Sequence, residues 1–242
     1  MKLSRVTIAA PGATLAGILY APDGTPRAQA VVLAHGYTAS KETMDLLAGY
    51  LCGRGYSCVT FDFRGHKLGG STGSMTGAED ALADLRAAAD FARDRLGAPR
   101  LVLVGHSMGG LAALVVAAER ADVSCSVAIA VGARPSHGFA TPVGRALHVQ
   151  RADYVEGLDT EPHLAQLDAI VPRVTAVRCP ALVVAARSDV IVSVEDVRSL
   201  AGLVPGAELV EVASGHQEAP ERARGIVANW IASREARVES RE

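Results

Sequence analysis

Ser107 lies between glycines in LVLVGHSMGG (101–110), where a run of four apolar residues ends and a helix-like run begins. Ordinary secondary structure does not ask for this. A buried parallel strand has no need to end on glycine, and a helix N-cap does not require a glycine two residues to either side. Gly105-His106-Ser107-Met108-Gly109 does match GxSxG, the strand-turn-helix elbow in which flanking glycines let a strained serine expose its Oγ above a sheet. The unpaired N–H groups and the dipole at the helix start favour the negative charge that develops when such a serine attacks.

A serine alone is a poor nucleophile and needs a base, which in turn needs an orienting acid. Asp189 follows ALVVAA (181–186) by the short turn Arg187-Ser188, and His216 follows AELVEVA (207–213) in Ser214-Gly215-His216. The chain order Ser107, Asp189, His216 is the order expected for a serine on such an elbow. Other residues compete less well. His35, His66 and His106 also lie near strand ends, but His35 reads as a brace for the loop at Gly36, and His106 sits inside the elbow. Asp62 reads as a carboxylate holding Arg64, Glu211 as a surface charge, and His137, His148 and His163 as solvated side chains.

The elements that position these residues follow from periodicity. VTIA and LAGILYA form a hairpin across Pro11-Gly12. AQAVVLAHGY (28–37), SCVTFDF (57–63), LVLVG, SVAIAVGA (126–133), ALVVAA and AELVEVA read as strands. Helices are expected over 41–53, 77–97, Ser107 to about Arg120, Val194–Leu203 and about Pro220 to Ser233. Strands alternating with helices imply right-handed crossovers and an α/β fold: a mostly parallel central sheet with helices on both faces. Ligands then bind outside the carboxyl ends of the strands.

Residues 134–179 break that rhythm, with one helical stretch over about Glu161–Val174, and read as a small cap insertion because structureless loops of that length are uncommon in compact domains. The chain of 242 residues otherwise reads as one domain. RGHKLGGSTGSMTG (64–77) lacks both GxGxxG and the Walker ending and reads as a loop. The tail REARVESRE reads as a solvated helix end or disordered segment.

Composition bounds the partners. A net charge of −2 with both signs interspersed offers no basic stripe, so neither nucleic acid nor an anionic membrane is expected. No apolar run reaches the length of a membrane span. Cys52, Cys58, Cys125 and Cys179 lack CxxC or metal-ligand spacing and read as free thiols. Two early cations before an apolar stretch resemble a signal peptide, but Pro11-Gly12 interrupts it. A cytoplasmic location is the expectation.

Taken together, HGY after the first buried strand, DFRGH after the next, GHSMGG, a short cap, and SD and GH in the late loops resemble the α/β-hydrolase superfamily over nearly the whole chain. The resemblance implies an oxyanion hole made by the backbone N–H groups of Tyr37 and Met108, and no cofactor or metal. HGYTASKE followed by FDFRGHKLGGSTG is most similar to small feruloyl- or cinnamoyl-type esterases. Ser107 argues against dienelactone hydrolases proper, which usually carry Cys there, and against dehalogenases and epoxide hydrolases, which carry Asp. The expected activity is that of a serine hydrolase cleaving a small-molecule carboxylic ester of small to medium acyl size. Phe139 and Tyr154 in the cap are the expected substrate contacts. A thioesterase, a lactone or C–C bond hydrolase with the same triad, and a non-catalytic ligand-binding protein stand as alternatives. The oligomeric state, a homodimer included, stays open.

Overall fold

A computed structural model describes residues 1–157 and 159–239, the side chains of 236–239 excepted. Eight strands form one sheet: β1 (Lys2–Ala10), β2 (Ala13–Ala21), β3 (Gln29–Ala34), β4 (Ser57–Phe61), β5 (Arg100–His106), β6 (Val123–Ile129), β7 (Ala181–Ala186) and β8 (Glu208–Val212). Their spatial order is β1-β2-β4-β3-β5-β6-β7-β8. β1 and β2 pair antiparallel, as do β2 and β4, and the remaining neighbours are parallel. The chain leaves β3 toward β4 on one side and returns to β5 on the other. The switch point therefore falls between β3 and β5, and it opens a crevice at their carboxyl ends.

The central strands carry apolar residues on both faces. All six residues of β3, QAVVLA, are buried. Ala30, Val32 and Ala34 pack toward α2 (Ala78–Leu96) and α3 (Met108–Glu119), while Val31 and Leu33 pack toward α1 (Asp45–Cys52) and α8 (Ala219–Glu239). Fully burying one such Val or Leu contributes about 1.5–3 kcal/mol, so two-sided burial is what makes these runs continuous rather than alternating. The remaining helices are α4 (Pro135–Phe139), α5 (Pro142–Gln150), α6 (Thr160–Ile170) and α7 (Val194–Leu203).

Several expectations shift at the edges of elements. The strand expected over 28–37 ends at Ala34, so His35, Gly36 and Tyr37 begin the loop above the sheet. β6 begins at Val123, three residues before the expected start, and ends at Ile129 rather than at 133. The segment from 41 opens with a short 3-10 turn over Lys41–Met44 before α1. Between β6 and β7 the structure holds α4 and α5 as well as α6, where one helix was expected. Thr141 caps α5 by accepting from Gly144 N–H at 3.0 Å, with Pro142 at its first position.

The last helix continues past the expected end at Ser233 to Glu239. Glu235, expected to be solvated, is buried because it accepts hydrogen bonds from Arg27 Nη1 at 2.7 Å and Tyr56 Oη at 3.1 Å. Residues 240–242 of the expected tail lie outside the described residues.

Candidate active site

The elbow after β5 has the geometry its glycines imply. Ser107 has φ 52° and ψ −121°, a left-handed backbone that costs an ordinary L residue about 1–3 kcal/mol. A Cβ on Gly105 would collide with the carbonyl oxygen of Gly109, and a Cβ on Gly109 would sit 2.5 Å from the carbonyl oxygens of Ala34 and His35. The strand, turn and helix thus approach too closely for any side chain at either position. Ser107 N–H donates to Ile129 O at 2.8 Å, which fixes the elbow to β6.

The structure brings Asp189 and His216 together on the next two strand ends. Ser188 N–H donates to Ser214 O at 3.0 Å and Arg187 N–H to Val212 O at 2.9 Å, tying the loop after β7 to the loop after β8. Oδ1 of Asp189 accepts the N–H groups of Ile191 and Val192 at 2.8 and 2.9 Å, and Oδ2 lies 2.7 Å from His216 Nδ1. One carboxylate oxygen is spent on the backbone and the other on the imidazole. This places the Nδ1 proton toward Asp189 and leaves Nε2 available. His216 and Ser107 line one cleft, together with Tyr37, Phe139 and residues of α5.

Five other histidines lie around this site: His148 of α5 lines the cleft and is half-buried, whereas His35, His66, His106 and His163 are buried. His106 Nε2–H donates to the carbonyl oxygen of His216 at 2.9 Å, and burial pushes its pKa down to about 3. It fixes the backbone of the His216 loop instead of serving as a second base. His35 accepts from Phe63 N–H at 3.0 Å and donates from Nδ1 to Gly36 O at 2.7 Å, which braces the loop after β3. Burial holds His35 well below the ordinary range and takes His66 to about 4.

His163, expected in solvent, is fully buried under the cleft, with its pKa lowered by burial to about 4. Its ring stacks on Tyr37 at 4.8 Å, and its Nε2 lies 3.4 Å from the sulfur of Met108. Tyr37 and Thr160 share a hydroxyl hydrogen bond of 3.2 Å. α6 therefore clamps both residues whose N–H groups the resemblance assigns to an oxyanion hole. The signal was present in the sequence: His163 is in helical phase with the buried Thr160, Leu164, Leu167 and Ile170.

Asp62 does not hold Arg64. Its carboxylate accepts from Lys41 N–H at 2.8 Å, Lys41 Nζ at 2.6 Å and Gly70 N–H at 2.8 Å, so it anchors the far end of the 36–41 loop. Arg64 instead reaches Asp84 and Asp80 on α2, with Nη2 at 2.6 Å from Asp84 and Nη1 at 2.9 Å from Asp80. Asp62 and Arg64 both lie beyond the end of β4 at Phe61, in irregular backbone where nearness in sequence does not decide which way a side chain turns. Glu211 pairs with Arg198 at 2.5 Å.

Phe139 lines the cleft, whereas Tyr154 does not and lies instead beneath the Arg151 guanidinium at 5.6 Å. The free space in the Ser107 cleft is about 30 Å3, with about 20 Å3 in an adjoining recess lined by Met108, Val131 and Leu164. That is room for a water or two. A far larger groove of about 710 Å3 lies between β1 and α2. Its lining, Ile8, Pro11, Ala87 and Phe91 among it, includes no serine, cysteine or histidine. Among the described residues no cluster of His, Cys, Asp and Glu could hold a metal, and no helix is long and apolar enough to cross a membrane.

Comparison with known proteins agrees with this fold. A structure of the Pyrococcus furiosus esterase Pf2001 superposes with a TM-score of 0.75 at 24% identity, covering 96% of this chain and 92% of that one. Est1E of Butyrivibrio proteoclasticus, solved with ferulic acid bound, gives 0.75 at 18% identity over 96% and 99% of the two chains. The enol-lactonase of Burkholderia xenovorans LB400 gives 0.70 at 21% over 96% and 100%. At these identities the likeness is one of fold. Mouse sn-1-specific diacylglycerol lipase ABHD11 is 37% identical over 103 residues, 42% of this chain but only 32% of its own length. A family profile described as Hydrolase_4, "Serine aminopeptidase, S33", matches residues 25–166, more than half the chain and the part that carries the HGY loop and the serine elbow. The chain thus belongs to this S33 serine aminopeptidase-like family of α/β-hydrolases.

Proposed function

We propose that this hydrolase is a serine esterase that cleaves carboxylic esters of small to medium acyl size through an acyl-enzyme. The observation that carries the reading is the 2.7 Å bond between Asp189 and His216 in the cleft to which the strained Ser107 belongs. His216 Nε2 takes the proton of Ser107 Oγ as the oxygen attacks the ester carbonyl. The Tyr37 and Met108 N–H groups bind the resulting oxyanion, and His216 returns the proton to the departing alcohol. Water then attacks the acyl-enzyme, with His216 again as base, and the carboxylic acid leaves. Met108 is the first residue of α3, so its N–H has no acceptor within the helix.

The segment carrying α4, α5 and α6 acts as a cap in this reading. With room for only a water or two, the cleft admits an ester when α4 and α5 shift outward. The recess beside Met108 is apolar, lined by Val131, Leu164, Leu167 and Phe139, and suits the acyl chain. The peptidase named in the family description is not assigned to this chain. An α-ammonium group needs an anionic partner, and no Asp or Glu is among the residues lining the cleft. Four free cysteines fit a reducing, cytoplasmic compartment.

The test is turnover of a chain-length series of p-nitrophenyl esters, with the matching acyl-thioesters alongside. The expected result is turnover that declines beyond medium chains and is faster for oxygen esters. Preferential turnover of thioesters would reassign the substrate, and no turnover by folded protein would contradict the esterase reading.

A further inference from the structure

Arg151 is the one residue of fixed charge among those lining the Ser107 cleft, and no carboxylate side chain lines it. Its guanidinium has no acidic partner among the described residues. Its contacts are a long hydrogen bond from Nη1 to Thr38 Oγ1 at 3.4 Å and the face of Tyr154. Asp153, two residues on, pairs with Lys67 instead, at 2.6 Å. Other guanidiniums that are mostly shielded from water are treated differently: Arg64 and Arg120 each meet two carboxylates, and Arg234 meets Glu208.

The backbone places this cation deliberately close to the chemistry. Arg151 ends α5, its N–H donating to Leu147 O at 3.0 Å, and Leu147, His148 and Arg151 all reach the cleft from one helical face. Thr38, the residue it touches, follows Tyr37 directly and has a left-handed φ of 58°. A half-buried planar fork without an acidic partner matches a carboxylate bidentately.

We propose that Arg151 is an anion-recognition residue and that the preferred substrates are esters carrying a carboxylate near the scissile bond. The inference rests on the esterase reading above and names its substrate class. Ester hydrolysis itself leaves the carboxylate untouched, so the same group binds in substrate and product. The anion can reside on either the acyl or the alcohol half, and the two halves are separable by experiment.

The test measures kcat/KM for mono-p-nitrophenyl glutarate and adipate against the neutral p-nitrophenyl esters of equal acyl length. A second arm sets p-acetoxybenzoate against p-tolyl acetate, and Ser107→Ala protein supplies the background rate throughout. A charge-assisted, partly exposed contact predicts an anionic-over-neutral ratio of about ten- to a hundredfold in one arm. Arg151→Gln is expected to collapse that ratio to about one, and Arg151→Lys, which keeps charge but loses the fork, to leave an intermediate value. Thermal unfolding of each variant checks that it folds. Neutral esters turned over without any anionic preference in either arm would overturn the proposal alone. An equal loss on both substrate types in Arg151→Gln would also overturn it, assigning Arg151 to cap structure. No serine-dependent turnover of any ester would overturn the esterase reading and this proposal with it.

Discussion

Ser107→Ala is expected to lower kcat/KM toward any ester substrate by about ten-thousandfold or more, and Ser107→Ala combined with His216→Ala to lose little beyond that. In the proposed mechanism the two side chains act on one proton, so once the nucleophile is gone the base has nothing to activate. Steady-state kinetics on the two single variants and the double variant check this, and additive losses would show that they do not work as a unit. A second property separates this site from an inert serine. Ser107 holds φ 52°, a conformation glycine adopts without strain. Ser107→Gly is therefore expected to raise stability by about 1 kcal/mol while abolishing turnover, because the elbow's strain is kept for chemistry and not for folding. Chemical denaturation of this variant checks the sign.

Acid should unfold the protein well above the pH at which carboxylates usually titrate. His35, His66, His106 and His163 are buried and neutral in the native state, with pKa values pushed down by desolvation. In the unfolded chain the same groups titrate near 6.5. A depressed histidine pKa means that the unfolded state binds the extra proton, so stability is fully present above pH 6.5 and falls as pH drops toward the native values. Each such histidine contributes a slope of about 1.4 kcal/mol per pH unit in that window. For four, the loss by pH 5 is comparable with the whole stability of an ordinary domain, about 5–15 kcal/mol. The pKa of Asp84, raised by burial, works in the opposite direction but over a lower pH range. Urea unfolding at a series of pH values should show stability falling steeply between pH 6.5 and 5. His163→Phe, which keeps a ring against Tyr37, should flatten that slope by about one proton's share. A stability that stays level down to pH 4 would contradict the buried, neutral assignment.

The parts of this architecture legible in the sequence are those set by local chemistry. GxSxG between an apolar strand and an apolar helix specifies the elbow because only glycine tolerates the backbone approach at Gly105 and Gly109. ALVVAA, and Val194–Leu203 beyond it, match β7 and α7 residue for residue, since turn residues bound both. What sequence did not disclose depends on the third dimension. Asp62 and Arg64 lie two apart, but their partners come from the 36–41 loop and from α2. His163 looked like a solvated cap residue until α6 packed it against Tyr37 and Met108. α5 was missed because its single apolar face is short, although Thr141-Pro142 announces its start. Tyr154 was expected against substrate on composition alone, and composition does not say which way a ring turns.

The measurement that tests the central claim most directly is intact-protein mass spectrometry of enzyme quenched in acid during turnover of a p-nitrophenyl ester, followed by peptide mapping. The account predicts an adduct with the mass of the acyl group, confined to the peptide containing Ser107 and absent from Ser107→Ala. Steady turnover with no acyl adduct in the wild-type protein, or an adduct at any other residue that turns over at the catalytic rate, would contradict it.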